Sequence, residues 1–102
     1  MSMTNKSLFT SAWLLKGITG SISGSLKLKN KRLIYVTDDG QRLFNAHLSE
    51  VKDIIFPWYY FGAGVKLRIG ANKYRFSFIE PYSESGVLVA RDVGKEWKSL
   101  LT

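Results

Sequence analysis

Two short stretches near the middle of the chain alternate with period two, and little but an antiparallel hairpin can satisfy both. Val65, Leu67 and Ile69 are interleaved with Lys66, Arg68 and Gly70. Tyr74, Phe76 and Phe78 are interleaved with Lys73, Arg75 and Ser77. A strand turns successive side chains to opposite faces, so each stretch has one apolar and one polar face. Gly70-Ala71-Asn72 supplies the turn between them. This is the pattern of a sheet with one face on a core and the other in water.

The same punctuation recurs upstream. Leu8 to Leu15 reads as the first strand: it follows Lys6, but it is short and ended by Lys16, unlike a leader segment. Gly17 to Ser25 is rich in Gly and Ser and reads as a flexible loop. Leu26-Lys27-Leu28-Lys29 alternates apolar with basic, and Asn30-Lys31 suits a tight hairpin turn because Asn tolerates positive φ. Arg32 to Val36, Arg42 to Leu48 and Val51 to Phe56 complete five strands, with Asp38-Asp39-Gly40 as a turn.

After Pro81 the period changes. Ser83 is a candidate N-cap with Glu84 in the first turn, and Ala90, Val93, Trp97, Leu100 and Leu101 recur at helical spacing. The expectation is one domain over residues 1–102. It is mainly β with one C-terminal α-helix: strands over about 8–80, then a helix over about 83–101 with Trp97 plugging the core. A chain of 102 residues buries enough surface for this without metals or disulfides.

Seven strands and a C-terminal helix in about 100 residues resemble the pleckstrin-homology-like superfold, a seven-stranded barrel or sandwich capped by a helix. The local residues are similar to those of its GRAM domains. Gly24 to Tyr35 resembles the family's stretch of Gly, hydrophobic strand, then Asn-Lys-Arg-Leu-Ile. Leu48 to Ile54, Gly64 to Ile69 and Lys73 to Phe76 resemble the segments around its fifth, sixth and seventh strands. The resemblance implies binding of membrane lipids or of proteins. It also implies a phosphate-binding pattern of one Lys ending the first strand and two spaced cations in the second, which Lys16, Lys27 and Lys29 follow. The last of these is Lys where the pattern has Arg, and Asp38 and Asp39 would repel a phosphate near them.

Chemistry of the enzymatic kind finds few residues. There is no cysteine and one histidine, His47, and no glycine-rich phosphate loop. The chain reads as non-enzymatic, with no cofactor and no metal site. Its net charge is +7, unevenly spread. Residues 1–37 hold six cations and no acid, while the rest is nearly neutral. Such a field favours an anionic partner.

Two segments are candidate contacts. Lys27, Lys29, Lys31 and Arg32, together with Lys16, form a candidate lipid or anion site. Trp58, Tyr59, Tyr60 and Phe61 follow Pro57, and four successive large aromatics cannot all face one core. They form a candidate contact surface for a bilayer or another chain. The leading expectation is a cytoplasmic module, peripheral at the membrane, that binds anionic lipid head groups. The alternative is a protein-interaction module that self-associates as a homodimer. Nucleic acid is disfavoured, because cations and aromatics lie in separate segments rather than interleaved.

Overall fold

A computed structural model describes residues 7–18, 20–57, 63–81 and 87–101. The chain forms seven strands: β1 (Leu8–Lys16), β2 (Gly20–Lys29), β3 (Arg32–Thr37), β4 (Arg42–His47), β5 (Val51–Ile55), β6 (Gly64–Ile69) and β7 (Asn72–Ser77). A single 3-10 turn (Leu48–Glu50) links β4 to β5, and the helix α1 spans Val87–Leu101. All seven strands belong to one antiparallel sheet in the order β4-β3-β2-β1-β7-β6-β5. The expected class, mainly β with a C-terminal helix, is the class observed.

The sheet is folded on itself rather than closed. β1 pairs with β7 over only two residue pairs, Trp13 with Ser77 and Leu14 with Phe76, and this short ladder joins a four-stranded half to a three-stranded half. β4 and β5 are the ends of the order and share no ladder among the described residues, so the form is a sandwich and not a barrel. The halves meet through aromatics. Tyr35 of β3 lies 4.8 Å from Phe76 of β7, centroid to centroid, and Phe44 of β4 lies 4.8 Å from Tyr74 of β7. Tilted pairs at this spacing match the aromatic quadrupoles as well as burying area.

The alternation read from β6 and β7 is realised. Val65, Leu67, Phe76 and Phe78 are buried, with Ile69 and Tyr74 half-buried against them. α1 covers the core with the stripe expected of it: Ala90 and Trp97 are buried and Val93, Leu100 and Leu101 pack partly against them. Trp97 stacks parallel to Phe78 at 6.4 Å, and its indole N–H donates to the Thr10 hydroxyl of β1 at 2.8 Å. That bond removes the cost of burying the indole nitrogen. The expected cap at Ser83 and Glu84 lies outside the described residues.

The expected loop over residues 17–25 is a correction. β2 begins at Gly20 and pairs with β1 along its whole length, from Lys16 with Gly20 to Leu8 with Leu28. The ladder therefore runs from one end of β1 to the other, and β1 ends only at Lys16. Gly20 to Ser25 lack bulk, not strand geometry: Ile22 and Gly24 face inward while Ser21, Ser23 and Ser25 alternate with them. Gly24 is there because the core leaves no room for more. A Cβ on it would fall 2.4 Å from the Val36 carbonyl oxygen and 2.8 Å from the Tyr35 hydroxyl.

Candidate anion-binding surface

The β2–β3 hairpin gathers four of the five cations named from the sequence. Leu26 and Leu28 point into the core, so Lys27 and Lys29 stand on the outer face. The register sets Lys29 opposite Arg32, and Lys27 opposite Ile34. Directly opposed residues have Cβ atoms about 5 Å apart, so Lys29 and Arg32 adjoin across the ladder. Lys31 occupies the turn between them.

The turn itself is unusual. Asn30 and Lys31 both have positive φ, 53° and 63°, as a two-residue type I′ connection demands. Asn tolerates this conformation and Gly is free of strain in it, but a lysine there costs about 1 kcal/mol. The turn is braced from below, because the Leu48 N–H donates to the Lys31 carbonyl at 2.9 Å. Arg32 is also held. Its Nε donates to Asn45 Oδ1 of β4 at 2.8 Å, and its Nη2 reaches the Asn45 carbonyl at 3.4 Å. The guanidinium is thereby fixed on the same outer face, and the Lys29, Lys31 and Arg32 side chains are exposed.

A feature the sequence did not reveal lies beside this cluster. The register puts Phe9 of β1 opposite Lys27 of β2, and Phe9 is 66% exposed. The row running across the outer face is therefore Phe9, Lys27, Ile34 and Asn45, with Lys29, Lys31 and Arg32 at its border. Reading Phe9 as a partner of Lys27 requires the hairpin register, which depends on β2 beginning at Gly20. A loop extended to Ser25 conceals it.

Lys16 does not join the cluster. It pairs with Gly20 at the opposite end of the β1–β2 hairpin, nine residues along β2 from Lys29, or about 30 Å of strand. Its end of the molecule also carries the acids. Asp38 accepts a hydrogen bond from the Ser23 hydroxyl at 2.7 Å, and Asp39 accepts one from the Thr37 hydroxyl. The Thr37 bond, with help from backbone N–H groups, holds the Asp39 carboxyl below the usual carboxylate range. Beside the β2–β3 hairpin, Glu50 is engaged locally, its Oε1 accepting from the His47 N–H at 3.1 Å.

His47 is engaged in the same local structure. Its Nδ1 accepts from the Ser49 N–H at 3.1 Å and caps the 3-10 turn. Among the described residues no three His, Asp or Glu side chains converge as metal ligands, and no helix is long and apolar enough to cross a membrane. The aromatic segment Trp58, Tyr59, Tyr60 and Phe61 lies outside the described residues.

A second basic surface is assembled on the outer faces of β5, β6 and β7. Lys66 is opposite Arg75, and Arg68 is opposite Lys73. Composition hid this set, since residues 38–102 are nearly neutral as a whole. The period-two pattern with the hairpin turn could have found it, because both strands put their cations on one face.

No family model matches this chain, and no curated protein matches it either.

Proposed function

We propose that this chain is a non-enzymatic module that docks on anionic membrane surfaces through its β2–β3 hairpin. The observation that carries the reading is Lys31, a lysine held at φ 63° in a turn where glycine would be unstrained, amid Lys27, Lys29 and Arg32. Backbone strain retained on a charged residue at an exposed tip is a functional signal rather than a packing one. Each cation close to an anionic leaflet contributes about 1 kcal/mol. Exposed Phe9 adjoins Lys27 and supplies apolar area for the boundary between head groups and acyl chains.

The resemblance to GRAM domains supports the same reading, as does the two-signal logic of peripheral attachment, in which charge attracts and an apolar side chain inserts. Lys16 plays no part in this contact. The Asp38 and Asp39 end of the molecule faces away from the lipid, because its carboxylates would be repelled there.

The test is co-sedimentation with vesicles of graded anionic content at low and high salt. Binding that rises with anionic lipid and falls with salt supports the proposal. A protein that ignores such vesicles, and instead forms a concentration-dependent dimer, is an interaction module of the alternative kind.

A further inference from the structure

His47 stands where the basic hairpin meets the turn that braces it. The register sets it directly opposite Arg32, on the outer face shared with Asn45. Directly opposed side chains have Cβ atoms about 5 Å apart, so the imidazole and the guanidinium are neighbours. The chain has this one histidine and no cysteine, so no other side chain ordinarily changes charge between about pH 5 and about pH 8.

The ring is engaged through one nitrogen. Nδ1 accepts from the Ser49 N–H at 3.1 Å, which only an unprotonated nitrogen can do. The Ser49 hydroxyl oxygen lies 3.0 Å from the same Nδ1. A hydroxyl can donate or accept, so a protonated Nδ1 has a partner already in place. It donates to Ser49 Oγ, and the Ser49 N–H is released. Ser49 is exposed, so water takes up the freed N–H. The ring thus has two hydrogen-bonded arrangements, one for each charge state.

The turn it caps is linked to the hairpin tip. Glu50 closes the 3-10 turn from the other side, its Oε1 accepting from the His47 N–H at 3.1 Å. Leu48, next to His47 in the chain, donates its N–H to the Lys31 carbonyl at 2.9 Å, beneath the positive-φ lysine. Loosening the Ser49 bond therefore acts on the turn that supports the tip. The charged groups around the ring are Arg32 opposite it on β3, Lys29 beyond Arg32 on β2, Lys31 at the tip and Glu50 in the 3-10 turn. Lys52 of β5 pairs across its own ladder with Arg68, in the other half of the sheet. A protonated ring adds a cation to the Arg32 side of this set. An anionic surface favours the added charge and, by linkage, the added charge favours the surface to the same degree.

We infer that His47 is a proton-sensitive clasp. Neutral, it caps the 3-10 turn and leaves the hairpin as described. Protonated, it releases the Ser49 N–H and places its charge beside Arg32, so that docking on an anionic surface strengthens as pH falls. The effect on docking rests on the membrane reading of the hairpin; the clasp itself rests on the Ser49 and Leu48 contacts.

The test follows the parent and His47→Asn at about pH 5.5 and about pH 7.5. Asn accepts at an N-cap without titrating, so this variant keeps the turn closed. The vesicles are phosphatidylglycerol, whose phosphodiester stays ionised across the range. Co-sedimentation should give the parent about fivefold higher affinity at the lower pH, the effect of one added cation. In His47→Asn the ratio of the two affinities should fall to about one. Without lipid, the Ser49 and Leu48 amide chemical shifts should move together with those of the ring as pH falls in the parent, and hold still in the variant. The clasp is overturned by a parent that binds equally at both pH values, by a variant that keeps the parent's ratio, or by a Ser49 amide that ignores the ring. A parent that ignores the vesicles at both pH values, while its Ser49 and Leu48 amides follow the ring, supports the clasp and overturns the membrane reading.

Discussion

The Tyr35 ring lies across Gly24, so close that the hydroxyl oxygen would sit 2.8 Å from a Cβ at that position. From there the hydroxyl reaches the carbonyls of Ala12 in β1, at 3.0 Å, and Ile22 in β2, at 2.7 Å. Gly24→Ala should therefore overpack the core and destabilise the fold by about 1–3 kcal/mol, because the nearest obstacle is the Val36 backbone and not a flexible side chain. Chemical denaturation measures this. A variant as stable as the parent would mean that β2 and β3 are farther apart than described.

The same tyrosine gives the fold an alkaline limit. Burial pushes the Tyr35 hydroxyl up to about 12 from its ordinary value of 10, chiefly because the phenolate would lose its hydration. A group whose folded value is raised stabilises fully below its unfolded value, and that contribution is lost as pH rises through the folded value. Stability should fall as pH rises from about 10 towards 12, and Tyr35→Phe should flatten that part of the profile. At neutral pH the variant should be weaker by about 1 kcal/mol through the lost hydrogen bonds. Denaturation midpoints across the alkaline range decide the matter.

Lys31→Gly should move stability and binding in opposite directions. Glycine removes the strain of positive φ and should raise stability by up to about 1 kcal/mol. It also removes one cation from the hairpin tip and should weaken vesicle binding about fivefold. Weaker binding with higher stability could not come from damage to the fold.

How much of this was legible in the sequence follows from the length of each pattern. β6 and β7 were readable because three alternations each, joined by a tight turn, leave no other arrangement. The Trp97 stripe was readable because helical spacing recurs over about three turns, from Ala90 to Leu101. Gly20 to Ser25 was misread because small residues signal both flexibility and tight packing, and only the Tyr35 ring above Gly24 distinguishes them. Phe9 was missed because Leu8 to Leu15 is apolar on both faces, so the neighbour of Lys27 depends on register alone. Lys16 was grouped with Lys27 and Lys29 by order along the chain, whereas the length of the hairpin sets them at opposite ends.

The most direct test of membrane docking compares the parent with a variant carrying Ser at Lys27, Lys29, Lys31 and Arg32, by co-sedimentation with phosphatidylserine vesicles at low salt. Lys27, Lys29 and Arg32 stand on the outer face and Lys31 in the exposed turn, so the variant should keep the melting behaviour of the fold to within about 1 kcal/mol. Four cations at about 1 kcal/mol each correspond to a loss of affinity on the order of a thousandfold, which amounts to no detectable binding. Parent protein that pellets with these vesicles, alongside folded variant that stays in the supernatant, is the predicted result. A variant that pellets as the parent does, or a parent that does not pellet at all, would contradict the account.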